Sequence, residues 1–385
     1  MERQKRNRGY LVTGVILLAA TVALQAVARG GGDFATWYAH TVYPLLVGSI
    51  GRLSGLFPFS VVEIGLYLLI AGCLYDTVRN LRTPLRLISR AVFLCGLLLF
   101  LYTVNCGINY HAAAFSEYAG LETGAYTAEE LKQLCEFLVE QVNATAEAIE
   151  ADAAATASGT KTEGTTEKAA EFRYQGQRRQ WQQEGILAMK AAAEQFPVLD
   201  GYYPKPKELA VSWILSVQQL CGVYSPFTIE ANYNGEMPDY NIPHTICHEL
   251  SHLRGFMRED EANFIGYLAC ILSENRAFRY SGYLTGWVYA GNALAKQDRN
   301  AYAELTGELC DRARTDLNEN NMFWDRYDTK VAEVSSQVND TYLKVNLQTD
   351  GVQSYGRMVD LMLAYYGKED GPGNEEFGSQ SEKGK

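Results

Sequence analysis

Residues 245–255 read Thr-Ile-Cys-His-Glu-Leu-Ser-His-Leu-Arg-Gly. His248 and His252 are four residues apart, so a helix places both imidazoles on one face, where they can bind a single metal ion. Glu249 lies about 100° round the helix, from where its carboxylate can reach a metal-bound water and act as a general base. Gly255 suits the end of this helix. The pattern predicts a zinc (Zn2+) site with hydrolytic chemistry. The alternative is a surface helix with two solvated histidines.

The third ligand is less clearly marked. A catalytic zinc ion usually has three protein ligands and an open position for water. Arg258 stands where the metzincin pattern would place its last histidine, which excludes that subclass. The acidic run at 259–261 follows, and one of its carboxylates is the expected third ligand, although the helix dipole also favours acids at a helix start. His244 is a poorer candidate, because about 12 Å of regular helix separates it from His252.

Two further features bear on catalysis. Tyr280 and Tyr283 are candidate hydrogen-bond donors to the oxyanion that forms when a carbonyl is attacked, with Tyr280 the preferred one, although packing roles are common for tyrosine. Residues 224–235 alternate apolar and polar side chains around Phe227 and end in Asn-Gly, which predicts a short strand closed by a turn. Such a strand could pair with an extended peptide or be purely structural.

The first 110 residues are rich in apolar side chains. Residues 10–28, 57–75 and 91–108 are each near the minimum length for crossing a bilayer, which predicts three transmembrane helices. A cleaved signal peptide is the alternative for the first, because a basic start precedes it and its last residues, Ala26-Val27-Ala28, fit a small-residue cleavage pattern. Glu63 is expected to be a wetted carboxylate near one end of the second span. Residues 37–56 are aromatic and apolar, which suits a segment lying along the membrane interface.

Basic residues set the expected orientation. The N-terminus is basic, and Arg79, Arg82, Arg86 and Arg90 lie between the second and third spans, so both regions should be cytoplasmic. With three crossings, everything after about residue 109 should be extracytoplasmic in a multi-pass cell-membrane protein. The net charge of -11, with no basic stripe, argues against nucleic acid as a partner.

The remainder of the chain is expected to be mainly helical. Residues 127–150 predict a helix with Thr127 as its N-cap, and helix formers dominate residues 172–195. Between them, residues 151–170 are rich in Ala, Thr, Gly and Glu and predict a flexible insert. Residues 368–385 are expected to be a disordered tail.

Several blocks resemble a known family. Ser225-Pro-Phe-Thr-Ile-Glu-Ala-Asn, the His-Glu-Leu-Ser-His stretch and Arg258-Glu-Asp-Glu-Ala-Asn-Phe-Ile together resemble the uncharacterised bacterial membrane family Domain of Unknown Function 3810, and later blocks extend the resemblance towards the end of the chain. The Glu-Ala-Asn block is also similar to that of ImmA/IrrE-type zincins, in which the Glu before Ala-Asn is the third zinc ligand. This resemblance implies Glu261, in preference to Glu259, as the third ligand.

The expected fold is mainly α, with N-terminal transmembrane helices in residues 1–110 and an α-rich, zincin-like (α+β) metallopeptidase domain with a short strand in residues 111–367. The expected function is that of a membrane-anchored zinc metalloprotease-like protein acting on a peptide or protein substrate, with the lipid bilayer as its other partner. His248, His252 and Glu261 would hold zinc, and Glu249 would be the base. The alternative is a sensor or scaffold in which zinc is structural.

Overall fold

The computed structural model describes residues 2–31, 33–159, 166–346, 348 and 350–367, and the chain is mainly helical. The N-terminal third contains three long helices, with short helices between the first and the second. Its helices are α1 (Glu2–Arg29), α2 (Phe34–Thr41), α3 (Tyr43–Leu46), α4 (Arg52–Gly55), α5 (Val61–Asn80) and α6 (Pro84–Tyr102), with π-helical turns at Val47–Gly51 and Thr103–Gly107 and a 3-10 turn at Asn109–His111.

Three segments are long and apolar enough to cross a membrane: Asn7–Arg29, Val61–Asn80 and Pro84–His111. The second begins four residues later than predicted, because the Ser60 hydroxyl accepts a hydrogen bond from the backbone N–H of Glu63 and caps the helix. The third begins earlier than predicted and takes Arg86 and Arg90 into its first half, so the turn between the two helices is very short.

The first and third of these segments pack closely, along α1 and α6. A Cβ on Gly14 would lie 2.7 Å from the Cα of Phe93, and a Cβ on Gly96 would lie 2.6 Å from the carbonyl oxygen of Gly14. Glycine is therefore needed on both helices for the backbones to approach this closely, as is common where membrane helices associate.

Glu63 differs from its predicted environment. Its side chain is buried, and its two carboxylate oxygens accept hydrogen bonds from the backbone N–H groups of Ala210 (2.8 Å) and Val211 (2.9 Å). These backbone N–H groups take the place of the water that was expected around the carboxylate. Glu63 therefore links α5 to the segment that contains Ala210 and Val211.

Residues 37–56, predicted to lie along the membrane, also pack against the part of the chain that follows residue 111, here called the larger part. Tyr43 in α3 is fully buried, its hydroxyl donates to the carbonyl oxygen of Leu253 (3.0 Å), and it lies 2.8 Å from the hydroxyl of Tyr224. Trp37 and Leu45 remain exposed. One face of this segment therefore belongs to the protein core, and the other is open.

The larger part is built from helices around a small sheet. The helices are α7 (Phe115–Ala119), α8 (Ala128–Gly159), α9 (Thr166–Gln195), α10 (Trp213–Ser216), α11 (Asn241–Arg254), α12 (Glu259–Ile271), α13 (Arg276–Gln297), α14 (Arg299–Glu308), α15 (Asp311–Asp325), α16 (Lys330–Val345) and α17 (Met358–Tyr366), with 3-10 turns at Pro197–Leu199 and Gly351–Arg357. The mainly helical class is confirmed.

The helices α8 and α9 are longer than predicted. Thr127 caps α8, since its hydroxyl accepts from the N–H of Glu130 at 3.2 Å. Both ends of the predicted insert are helical, in α8 up to Gly159 and in α9 from Thr166. Residues 160–165 of that insert and the predicted tail at 368–385 lie outside the described residues.

The sheet has three short strands, β1 (Lys207–Glu208), β2 (Gly222–Ser225) and β3 (Glu230–Tyr233), in the order β1-β3-β2. β3 pairs parallel with β1 and antiparallel with β2. The single predicted strand is therefore a hairpin, with Phe227 in its turn and Ile229 in a left-handed conformation (φ 50°). Residues 227–229 lie in the turn and β3 is the central strand, so residues 227–231 offer no free strand edge to a peptide, and β2 is the edge strand nearer the site described next.

The helix α11 lies at the centre of the larger part. It packs against the sheet and against α9, α12 and α13. Ile246, Cys247, Leu250 and Leu253 are fully buried, so the apolar residues of this helix face the core on several sides. This burial fixes the orientation of α11 and hence of its histidines.

Candidate metal centre

The two histidines of α11 meet at its C-terminal end. His248 and His252 lie one turn apart, and their Nε2 atoms are 3.1 Å from each other. Gly255 (φ 114°) ends the helix in the left-handed region, with its N–H bonded to the carbonyl oxygen of His252. The glycine reverses the chain there and leads it to the start of α12.

Glu259, the first residue of α12, completes the group. Its Oε2 atom lies 3.3 Å from Nε2 of His248 and 3.6 Å from Nε2 of His252. Metal–ligand bonds of about 2.0–2.1 Å in a tetrahedral site require donor atoms about 3.3 Å apart. The three donor atoms are therefore spaced as a bound metal ion would need, and this is the one His/Cys/Asp/Glu group of this kind found in the described part of the chain.

The electrostatics of the group follow from its burial. Burial raises the pKa of Glu259, but the charges and hydrogen bonds of His252 and His248 outweigh it and hold that pKa well below its usual value. Burial lowers the pKa of His252, but Glu259 outweighs it and raises the pKa to about 9. Without a metal, the pair is thus a buried ion pair, and a metal cation would take the place of the imidazolium proton.

A hydrogen bond on the other side of the ring, at Nδ1, also orients His252. Its Nδ1 donates a hydrogen bond to the carbonyl oxygen of Phe256 at 2.8 Å, which leaves Nε2 to face His248 and Glu259. Such a backbone partner fixes the ring of a metal-binding histidine and selects the tautomer with a free Nε2. No described group hydrogen-bonds to the buried Nδ1 of His248.

Glu249 lies beside the group and is buried. Its Oε2 atom has no hydrogen-bond partner among the described residues. Burial raises its pKa to about 7, although the charges of His248 and His252 act in the opposite direction. Gly222 of β2 lies against this carboxylate, since a Cβ there would be 2.8 Å from Cγ of Glu249. A buried carboxylate without a protein donor is suited to accept a proton from a small ligand.

His248 and Glu249 line a cavity of about 420 Å³. Most other polar groups on its walls are uncharged amides and hydroxyls, from Gln218, Gln219, Asn241, Thr245, Asn263, Thr285, Asn320, Ser335, Ser336 and Asn339, and its aromatic residues are Tyr240, Tyr289 and Trp324. The cavity can therefore accept a neutral polar segment beside the histidines and the glutamate.

A family profile described as "Protein of unknown function (DUF3810)" matches residues 38–363. The chain belongs to the DUF3810 family. The match starts after the first apolar segment, Asn7–Arg29, and ends within α17. No curated protein and no solved structure matches the chain.

In this DUF3810 protein the predicted ligand Glu261 lies away from the histidines. Its Oε1 accepts a hydrogen bond from the backbone N–H of Phe115 (2.9 Å) and lies 3.4 Å from Nη1 of Arg258. Residues two apart on a helix are about 200° apart round its axis, so Glu259 and Glu261 cannot face the same ion. Glu259 therefore replaces Glu261 as the third candidate ligand, and Glu261 holds α7 against α12.

Tyr280, the predicted oxyanion donor, is also outside the cavity. Its hydroxyl donates to Oδ2 of Asp316 at 2.6 Å. Tyr283 packs in the core against Phe137. The tyrosines that line the cavity are Tyr240 and Tyr289, and the Tyr289 hydroxyl accepts from Nδ2 of Asn263 at 3.2 Å. With 25 tyrosines in the chain, no sequence signal distinguished Tyr289.

His244 is placed as the helix geometry requires. Its Nε2 donates to the carbonyl oxygen of Asn263 at 3.1 Å, and burial, reinforced by the charge of His248, lowers its pKa to about 3. His244 is therefore neutral and holds α11 to α12, one turn before the candidate ligands.

Proposed function

We propose that this protein is a membrane-anchored zinc metallopeptidase. The observation that carries the proposal is the convergence of the three donor atoms of His248, His252 and Glu259 beside the unpartnered carboxylate of Glu249, at the wall of a cavity. Zinc bound there would polarise a substrate carbonyl and activate water for its attack.

Proton transfer, orientation of the ligands and substrate binding are assigned to residues of the chain. Glu249 accepts the proton of the attacking water and delivers it to the leaving amine, because its carboxylate is next to the ligands and its Oε2 has no hydrogen-bond partner among the described residues. The backbone carbonyl of Phe256 keeps the ring of His252 in place during these steps. The amides and hydroxyls of the cavity walls bind the peptide backbone on either side of the reacting bond.

A purely structural zinc site is the competing function. Structural zinc usually has four protein ligands, whereas catalytic zinc has three and an open position. The group contains three donors within the described residues, and a cavity lies next to it. Both features favour the catalytic role.

The proposed orientation places the larger part outside the cytoplasm. Arg79 and Arg82 lie at the end where a short turn joins the second and third spans, and Arg86 and Arg90 follow in the first two turns of the third. Together with the basic start of the chain, they favour a cytoplasmic location for that end. A reporter fused after Lys385 should be active only outside the cytoplasm, and a cytoplasmic signal would contradict this orientation.

The test uses the full-length protein in lipid nanodiscs. Zinc content is measured by mass spectrometry, and cleavage is measured with a peptide library. Stoichiometric zinc and cleavage that is lost on chelation and restored by zinc are expected. Glu249→Gln should keep zinc, because the amide has the same size, but should reduce turnover by about 10² to 10⁴.

Two results would overturn the proposal. One is the absence of stoichiometric zinc in the wild-type protein. The other is a Glu249→Gln protein that fully restores the phenotype of a cell lacking the wild-type gene, because a base that can be replaced by an amide has no part in proton transfer.

A further inference from the structure

The helix α16 carries an exposed apolar stripe. Its members are Val331, Val334, Val338, Tyr342 and Val345, at successive spacings of three, four, four and three residues. Such spacings place all five side chains within an arc of about 80° on the helix surface. The four valines are 55–64% exposed, so the described part of the chain leaves them largely uncovered, whereas Tyr342 is 37% exposed and partly covered.

A second face of α16 forms a wall of the cavity. Ala332, Ser335, Ser336 and Asn339 line the same cavity as His248 and Glu249. This face lies about 110° from the apolar stripe round the helix axis. The buried residues of α16 are Ala332 and Leu343. The helix is therefore held by few core contacts, and one side of it closes the cavity while another is open.

The contacts of Tyr342 place one end of the stripe beside the third apolar segment. Its hydroxyl lies 3.3 Å from the hydroxyl of Tyr102 and 3.1 Å from that of Tyr110, and the Tyr102 hydroxyl also donates to Asn346 at 3.0 Å. Tyr102 and Tyr110 belong to the final turns of the third apolar segment, Pro84–His111. The stripe is thus continuous with the end of a helix that is long and apolar enough to cross the membrane.

We propose that this stripe docks on the lipid surface, so that α16 is a cavity wall held at the membrane. Valines at the spacing of an amphipathic helix suit insertion between headgroups, and the tyrosine suits the headgroup level. The charges of α16 balance, since Lys330 and Lys344 are matched by Glu333 and Asp340. Docking should therefore depend on apolar insertion and should not require anionic lipid.

This proposal rests on the membrane location of the apolar helices and not on the chemistry proposed for the cavity. If both proposals hold, the cavity opens close to the bilayer, and its substrates are polypeptide segments near the membrane surface. A failure of peptide cleavage would leave lipid docking of α16 unaffected, and the two proposals can therefore be separated by experiment.

The test places a photoreactive benzoylphenylalanine at Val338 of the full-length protein in phosphatidylcholine nanodiscs. Position 338 is exposed, so the substitution should leave folding intact. The matched control carries the same group at Gln337, which is exposed on the same helix but lies outside the stripe. After illumination, mass spectrometry should detect lipid adducts at several-fold higher yield from position 338 than from position 337.

Equal lipid yields at the two positions would overturn the proposal. So would a protein–protein adduct at position 338 in place of lipid, because it would show that the stripe pairs with a second copy of the chain. Absence of any lipid adduct at position 338 would also overturn it. A single membrane thickness and a single lipid are used throughout, so that these outcomes depend on the position of the probe alone.

Discussion

Glu63 and Glu230 hold the start of the second apolar helix and the small sheet together from opposite sides. Glu230, in β3, accepts hydrogen bonds from the backbone N–H groups of Val61 (3.1 Å) and Val62 (2.8 Å), the first residues of α5. Glu63, in α5, accepts from two backbone N–H groups that follow β1. Lys207 of β1 forms a buried ion pair with Glu230. Each element thus supplies the carboxylate that the other needs, and the two are fixed relative to each other.

Glu230→Gln should destabilise the protein. The substitution leaves the buried ammonium of Lys207 without its counter-charge and weakens the cap of α5, which should cost about 3 kcal/mol. Thermal unfolding of the full-length protein in detergent measures the loss. Glu208→Gln, at an exposed position of the same strand as Lys207, is the control and should leave the midpoint unchanged. Equal midpoints for both variants would contradict the importance of this junction.

Glu259→Gln should abolish stoichiometric zinc, whereas Glu261→Gln should retain it. The two residues are on the same helix, but only Glu259 faces the histidines. Zinc content per chain after dialysis against a weak chelator distinguishes them. The reverse result would restore Glu261 as the ligand.

The metal-free protein should lose stability as the pH rises from about 7 to 10. His252 has a pKa raised from 6.5 to about 9, so its contribution to stability is complete below about 6.5 and is lost as the pH rises through about 9. Thermal midpoints of the chelator-treated protein measure this slope. His252→Asn should flatten it, and zinc should reverse it, because ligation requires the neutral imidazole. A wild-type slope equal to that of His252→Asn would rule out this ion pair.

Gly222→Ala should disturb Glu249 without removing the metal ligands. The new methyl group would lie 2.8 Å from Cγ of Glu249 and 2.9 Å from the carbonyl oxygen of Asn232, and overpacking of this kind costs about 1–3 kcal/mol. Reduced thermal stability and reduced cleavage with unchanged zinc content are expected. Gly124→Ala, where a Cβ meets nothing within 4 Å, is the control. Wild-type stability and cleavage in Gly222→Ala would show that Glu249 tolerates displacement.

Local sequence patterns were sufficient to predict the helix that carries the site. The spacing of His248 and His252 and the position of Gly255 predict one turn of helix and its end, and both are observed. The length of apolar runs likewise predicts three candidate spans. These features depend on neighbours within a few residues, so they can be derived from sequence.

Features that depend on distant partners could not be derived in this way. The contact of Glu63 with Ala210 joins residues 147 positions apart, and nothing near Glu63 indicates it. The choice between Glu259 and Glu261 depends on how α12 is rotated against α11, which is set by core packing. A resemblance in the Glu-Ala-Asn block favoured the carboxylate that faces Phe115.

The burial of Tyr43 has a practical consequence for anyone who wishes to exchange parts of this protein. Its hydroxyl donates to Leu253, one residue after the second histidine of the site. A fragment beginning at residue 111 would lose this donor and uncover the apolar surface around it. The anchor is therefore not an interchangeable tether, and a chimaera with a foreign membrane segment would need a replacement for the surface that Tyr43 fills.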